Sequence, residues 1–305
     1  MNSEKTLTFY LSKRLLKQVD AKQNGFVSKV ARVAETSGFQ VRYEQNSKQA
    51  RIASMMNDGY AMFHMDDPFH DHALTMRKVY SYPFWQIEKD AKRWEWAVAK
   101  RQFEPTEIDQ GLARDFVENW RKWLFQGQAE NPMRSGFVYV PLQGRVLDNR
   151  SFQTMSPLDM LRETLGHEQQ RPIIATLHPN ENYSTDEIAE LETLINKHPQ
   201  LKVTSAPMAK MLAECDYVVA ENSSAAFFAH FFGKPSIHFA KIDFHHAGLN
   251  VGEIGVSAAF EQITNHSPNH EAYLYWFWQI MAINAGRADV SDRIRLAMQN
   301  AGWPM

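Results

Sequence analysis

The chain of 305 residues has a single cysteine, Cys215, so it cannot form an internal disulfide or a multi-cysteine zinc cage, and a reducing compartment is favoured. It has almost no net charge. Its 33 basic and 35 acidic residues leave −2, which excludes a global field able to hold nucleic acid by counterion release, so any anion site must be local. Long apolar runs are missing too. Met1 to Lys17 mixes Glu4, Lys5, Lys13 and Arg14 into its apolar residues, unlike the core of a signal peptide. The most apolar late segment, Tyr273 to Gly286, falls short of the ~20 residues that cross a bilayer and reads as a buried or interfacial helix. These absences predict mature structure from the start and a cytoplasmic protein without a transmembrane segment. Any membrane association would be peripheral, at the inner membrane.

What is present is a globular composition, 44% hydrophobic and 22% charged, at a length that suits two α/β domains. Leu7 to Leu11 reads as a buried strand. A helical stretch to about Ser37 follows, with Leu15, Val19, Phe26, Val30 and Val33 at helical spacing, and Gly38 ends it. Strands at Phe39 to Tyr43 and Gly59 to His64 complete a βαβαβ pattern, so the first domain is predicted to be Rossmann-like, over residues 1–130. From His72 to about Gln126, Trp85, Trp94, Trp96, Trp120 and Trp123 lie among Arg and Lys with helical periodicity and no evident strand. Helix packing accounts for these aromatics, with an acceptor-sugar platform as the alternative.

Gln128 to Gly136 is polar and turn-rich and is expected to link the domains, placing the second over residues 131–305. There the alternation is regular, with strands at Phe137 to Leu142, Pro172 to Leu177, Leu201 to Thr204, Tyr217 to Ala220 and Ser236 to Phe239. Helices lie between them at about Ser156 to Leu165, Ser184 to His198, Pro207 to Cys215 and Ser223 to Phe232. Ser184 and Glu187 have the spacing of a capping box. Strand, helix and strand repeated in this way imply a doubly wound parallel sheet, whose ligands bind beyond the carboxyl ends of the strands.

Three polar groups fall at those ends: Gln143 with Arg145 and Asp148, His178 with Pro179, and Glu221 with Asn222, Ser223 and Ser224. An Asn and two Ser residues at a strand-to-helix turn offer side-chain donors beside free backbone N–H groups, which suits a phosphate. His178 can donate to an anionic oxygen, and Pro179 can orient its loop. Taken singly, Ser223 and Ser224 would only cap a helix, and His178 would be structural.

Taken in order, these motifs resemble the nucleotide-binding domain of bacterial capsule-polysaccharide glycosyltransferases, especially those transferring Kdo from CMP-Kdo. The likeness runs through Pro141-Leu142-Gln143 and Asp148, His178-Pro179, Met208 to Val219, Asn222 to Phe228, Gly233-Lys234-Pro235, and Phe244 to Gly248. It covers about Phe137 to Gly248. Leu142 and Leu177 stand where the family has glycine and proline, and the Trp-Gly that follows the last motif in the family is missing.

The resemblance implies a GT-B fold, α/β with two Rossmann-like domains and here a helical, Trp-rich segment in the first half. It also implies transfer of Kdo or a related acidic sugar from a CMP-activated donor to a surface polysaccharide or glycolipid acceptor. Gln143, His178, Pro179, Asn222, Ser223 and Ser224 would then bind the nucleotide sugar, with no metal or other cofactor and no nucleic-acid partner. The catalytic carboxylate is expected at Asp66 or Asp67, in the run His64 to His72 after the third strand. Two alternatives stay open. The same His and Asp run could bind a metal and make the protein a hydrolase, or the protein could bind sugar nucleotides without catalysis.

Overall fold

A computed structural model describes residues 5–21 and 25–305. Met1 to Glu4 and Lys22 to Asn24 therefore lie outside the described residues, including the start of the predicted N-terminal segment and the middle of the expected first helix. The chain forms two compact units, one from Met1–Arg101 with Phe277–Met305 and the other from Gln102–Trp276. The expected boundary near residue 130 falls inside the second unit. Gln128 to Gly136 is packed loop rather than linker: Met133 and Ser135 donate to the carbonyls of Ala213 and Glu214 at 2.8 and 2.9 Å, and Gly136 donates to Asp216 at 2.9 Å. Polar, turn-rich composition is common to surface loops and linkers, so it could not tell the two apart.

The first unit contains β1 (Lys5–Leu11), β2 (Phe39–Gln45), β3 (Tyr60–His64), β4 (Ala73–Lys78) and β5 (Phe84–Glu88). Its sheet runs in the order β2-β1-β3-β4-β5, closed at the far edge by Ile283–Asn284. β1 to β4 are parallel, β5 is antiparallel to β4, and Ile283–Asn284 is antiparallel to β5. The expectation of no strand after His72 is corrected by β4 and β5. Both are buried over their first four residues, on both faces, so the alternation that marks a strand is absent from their sequence. The long helix expected before Ser37 is two helices, Lys13–Asp20 capped by Ser12, and Phe26–Thr36.

One face of this sheet carries Leu7, Phe9 and Leu11 against Phe26, Val30 and Val33 of the second helix and against Ile294 and Met298 of the C-terminal helix Val290–Asn300. Trp85 stacks on Phe26 with ring centroids 4.7 Å apart, so this tryptophan packs from a strand, not from a helix. The segment Tyr273 to Gly286 is likewise not one helix. It ends the helix His270–Tyr275, continues as a π-helical stretch Trp276–Met281, and finishes on the strand Ile283–Asn284.

The second unit contains β6 (Val138–Leu142), β7 (Ile173–Leu177), β8 (Leu201–Thr204), β9 (Tyr217–Ala220), β10 (Ser236–His238) and β11 (Leu249–Asn250). They form an all-parallel sheet in the order β8-β7-β6-β9-β10-β11. In sequence terms that is 3-2-1-4-5-6, the doubly wound Rossmann arrangement. Its helices Pro157–His167, Thr185–Lys197 and Met208–Glu214 agree with the sequence reading within about two residues. Val138, Val140, Ile173, Ala175 and Val219 form the sheet's share of the core, and Leu161, Leu191 and Leu194 the helices' share. The Trp-rich segment contributes the helix Gln110–Phe125, on which Trp123 is 63% exposed and rests edge-on against Trp120 with ring centroids 5.2 Å apart.

Candidate functional site

In a sheet of order 3-2-1-4-5-6, the chain turns opposite ways out of strands 1 and 4, and the loops leaving their carboxyl ends part to form a crevice. Here those strands are β6 and β9. Gln143 follows β6, and Glu221 to Ser223 follow β9, while His178 follows β7, the neighbour of β6. The sheet thus gathers all three polar groups at one end of the second unit.

The loops are bound together by a residue that local sequence showed only in part. Ser184 and Glu187 form the expected capping box, with Glu187 Oε2 accepting from the Ser184 N–H at 2.8 Å. The other oxygen, Oε1, accepts from the buried Val146 N–H at 2.6 Å, across 41 residues. Glu187 therefore clamps the loop after β6 to the helix that follows the His178 loop. Charge-assisted hydrogen bonds are worth ~1.5 to 3 kcal/mol each. Glu187→Ala is expected to lower the stability of the second unit by about 3 kcal/mol in denaturant unfolding, against about 1 kcal/mol for Ser184→Ala, which loses only a cap. Equal losses from the two changes would show that the long-range clamp carries no energy.

His178 is half-buried. Its backbone N–H donates to the Tyr183 hydroxyl at 2.8 Å, and its Nδ1 accepts from the Asn180 N–H at 3.2 Å. The neutral ring therefore carries its proton on Nε2, which is the nitrogen that can donate to a ligand. Pro179 is exposed in the same turn. Gln143 is half-buried and followed by Gly144, where a Cβ would come within 2.6 Å of the Glu181 carboxylate. That close approach brings the loops after β6 and β7 together. Arg145 and Asp148 are exposed and pair with each other at 2.6 Å.

After β9, Ser223 is 6% exposed and its hydroxyl accepts from the Ala225 N–H at 3.3 Å, so it does cap the helix. Ser224 is exposed at the first turn, and Asn222 is half-buried beside it. The helix expected to reach Phe232 is α-helical only over Ser224–Ala229 and then tightens into a 3₁₀ turn, His230–Phe232. So short a helix adds little macrodipole, and what the turn offers an anion is hydroxyl and N–H groups.

Glu221 stood in this run without an assigned role. It is 4% exposed, neither carboxyl oxygen has a hydrogen-bond partner among the described residues although Gln153 and Arg150 lie near, and burial pushes that carboxyl up to about 8. Gln153 Oε1 accepts from Arg150 N–H and Nε at 2.7 and 3.2 Å, and Gln153 bridges to Ala240 beside β10. A buried carboxyl between two strand-end loops is invisible in sequence because its neighbours lie about 70 positions away.

In the motif Phe244 to Gly248 the glycine is closely packed. A Cβ at Gly248 would come within 2.4 Å of His238 Nε2, which bonds to Ser236 Oγ at 2.9 Å. Nearby, His230 and His270 share an Nδ1 to Nδ1 hydrogen bond of 2.8 Å. His230 and His238 are fully buried and His270 is part-buried in this bond, and burial is the leading cause that holds all three rings below their ordinary pKa. Cys215, also buried, is pushed up to about 12 and is a packing residue rather than a nucleophile.

In the first unit the order β2-β1-β3-β4 puts the corresponding divergence between β1 and β3, and Asp66 and Asp67 follow β3. Their surroundings differ. Asp66 accepts from Asn46 Nδ2 through one oxygen and pairs with Arg51 through the other. Asp67 is exposed, and the bond it makes is from the Ala91 N–H to Oδ1 at 3.2 Å. His72 stacks on Tyr60 and His64 lies near Trp85. Among the described residues, no three His, Cys, Asp or Glu side chains group so as to hold a metal ion, and the run His64 to His72 is spread over separate contacts. No helix among them is long and apolar enough to cross a membrane.

No protein-family model matches the chain, and no curated protein does. Among solved structures, the chain is similar to a Thermosulfurimonas dismutans KpsC described as a β-Kdo 2,7 transferase, at 12% identity and TM-score 0.55, over 97% of this chain and 99% of that one. A β-Kdo 2,4 transferase of the same organism aligns at 11% identity and TM-score 0.45, over 87% and 88%. S. aureus MnaA with UDP aligns at 11% and 0.37, over 97% and 96%. The first likeness is one of fold: two α/β units with parallel-dominated sheets, of the GT-B type.

Proposed function

We propose that the protein is a glycosyltransferase that uses a CMP-activated acidic sugar, Kdo or a relative, and passes it to a saccharide or glycolipid acceptor. The observation that carries the reading is the crevice between β6 and β9, where the loops bearing Gln143 and Asn222 to Ser224 meet the loop bearing His178. In the reaction an acceptor oxygen bonds to the anomeric carbon, the bond from that carbon to the phosphate oxygen breaks, and CMP leaves with the electron pair. His178 Nε2, Ser224 and the free N–H groups of its turn hold the phosphate, where negative charge grows in the transition state. Gln143, Pro179 and Asn222 shape the same pocket, and Ser223 fixes the turn as its cap. The proton of the acceptor hydroxyl goes to a carboxylate. Asp67, with Oδ2 uncommitted, suits that task better than Asp66, which is tied to Arg51 and Asn46.

CMP should raise the melting temperature of the purified protein more than UMP, GMP or inorganic phosphate does, because a ligand of the native state stabilises it by mass action. His178→Ala should weaken CMP about tenfold, the value of one hydrogen bond to a charged group, with the melting temperature of the free protein retained. Ser224→Ala should act in the same direction, whereas Ser223→Ala should cost about 1 kcal/mol of folding stability. Equal shifts with all four ligands would remove CMP as the nucleotide. Full CMP affinity in the His178 variant would place the donor elsewhere.

A further inference from the structure

A central strand of a parallel sheet is ordinarily covered on both faces and reads as a continuous apolar run. β1, flanked by β2 and β3, does not. One face is apolar, but the other carries Thr6, Thr8 and Tyr10, and β2 continues the rows with Gln40, Arg42 and Glu44. The crossover helix that should cover this face is Lys48–Ser54, of seven residues. At 1.5 Å per residue it is roughly 10 Å long, against roughly 23 Å for a seven-residue strand at 3.3 Å. It packs Ala50 over Tyr10, Ala61, Phe63 and Ala73 and leaves the amino-terminal half of β1 uncovered.

The uncovered half is a cavity of about 500 Å³. Its floor is made of small residues, Thr6 beside Gly59 and Thr8 beside Ala61, following the register of β1 with β3. Arg42 and Glu44 form the β2 side, and Asn57 and Asp58 the opposite rim. The groove therefore offers hydroxyls, an amide, the Lys5 ammonium, the Arg42 guanidinium and the two carboxylates together, in balanced charge, within the volume range of small-ligand sites. Balanced charge disfavours a polyanion, and so many mixed donors and acceptors disfavour an apolar ligand. A hydroxyl-rich, uncharged chain satisfies both. The groove runs along β1 and β2 from Lys5 to Tyr10 and Glu44, and neither Asp66 nor Asp67 lines it.

We infer that this groove is a second, non-catalytic saccharide site, which takes a short uncharged oligosaccharide segment. On the proposed glycosyltransferase reading it would hold the glycan at a point other than the reacting end. The binding claim is tested without catalysis, so it stands or falls separately from the donor site.

The experiment is saturation-transfer NMR on the full chain with maltotriose, chitotriose and mannotriose as probes and trigalacturonic acid as the anionic control, with and without saturating CMP. At least one uncharged trisaccharide should bind saturably at millimolar concentration, with or without CMP. The pair Thr6→Val and Thr8→Val, which keeps shape and strand propensity but removes the hydroxyls, should weaken it tenfold or more, as should Arg42→Ala. The melting temperature and the shift caused by CMP should stay unchanged in both variants. Absence of binding by every uncharged probe, retained affinity in the variants, or equal binding of trigalacturonate would each overturn the inference. Loss of the CMP shift in the wild type would instead strike the donor reading and leave this one intact.

Discussion

Replacement of Asp67 by Asn should lower turnover by about a hundredfold or more, measured as CMP release from a CMP-activated sugar in the presence of acceptor, since a positioned acid or base contributes 10²–10⁴. CMP affinity should be unchanged, because the nucleotide is assigned to the second unit. Folding stability should move little, because Asp67 is exposed. Asp66→Asn is expected to behave in the opposite way. It removes a charge that pairs with Arg51 and ties the loop after β2 to the loop after β3, so the loss should appear first in the melting of the first unit. Loss of turnover in Asp66→Asn with full stability, and none in Asp67→Asn, would exchange the two assignments.

The second large effect is on pH. His230, His238 and His270 are depressed below the ordinary value of 6.5 by burial, to about 3 for His238 and about 4 for His270. A base with a depressed folded pKa binds fewer protons folded than unfolded once the pH drops below 6.5, so the folded state loses stability as pH falls. Glu221, raised to about 8, has the reverse sign: its contribution is full below the unfolded value of 4.5 and is lost as pH rises through 8. Between pH 6.5 and 4.5 three histidines oppose one glutamate in the second unit, a net of about two protons. The histidines outnumber the glutamate, so the net effect has their sign and stability falls as the pH drops below 6.5. The second unit should therefore melt at sharply lower temperature at pH 5 than at pH 6.5, and again at lower temperature at pH 9. Glu221→Gln should remove the alkaline decline and leave the acid one. A melting temperature that is flat from pH 5 to 7, or an alkaline arm that survives in Glu221→Gln, would show that these groups do not control it.

The second unit was legible almost strand by strand because its strands are short apolar runs separated by capped helices, so periodicity and punctuation agree. Ser184 with Glu187 marked one helix start from four consecutive residues. The first unit was read less well for a physical reason: β4 and β5 are buried on both faces and sit among tryptophans that suit helix packing equally well. The candidate site was legible as residue types at strand ends, which depends on local order alone. What completes it depends on contacts between distant residues: Val146 with Glu187 and Gly144 with Glu181. The two candidate carboxylates also differ only in three dimensions, since Asn46 and Arg51 engage Asp66 and spare Asp67.

The strand Ile283–Asn284 pairs with β5, and Ile294, Met298 and Trp303 belong to the same core as Leu7 and Phe9. A ribosome would deliver the material of the first unit in two instalments, separated by the whole of Gln102–Trp276. Domains emerging from synthesis generally fold as units, amino-terminal first, at about 5–20 residues per second. In this chain that order is inverted: the second unit is complete while the first still waits for its edge strand and closing helix. During those seconds the amino-terminal sheet exposes the edge of β5 and the apolar face that the last helix will cover, and this interval is when a nascent chain has most need of a chaperone.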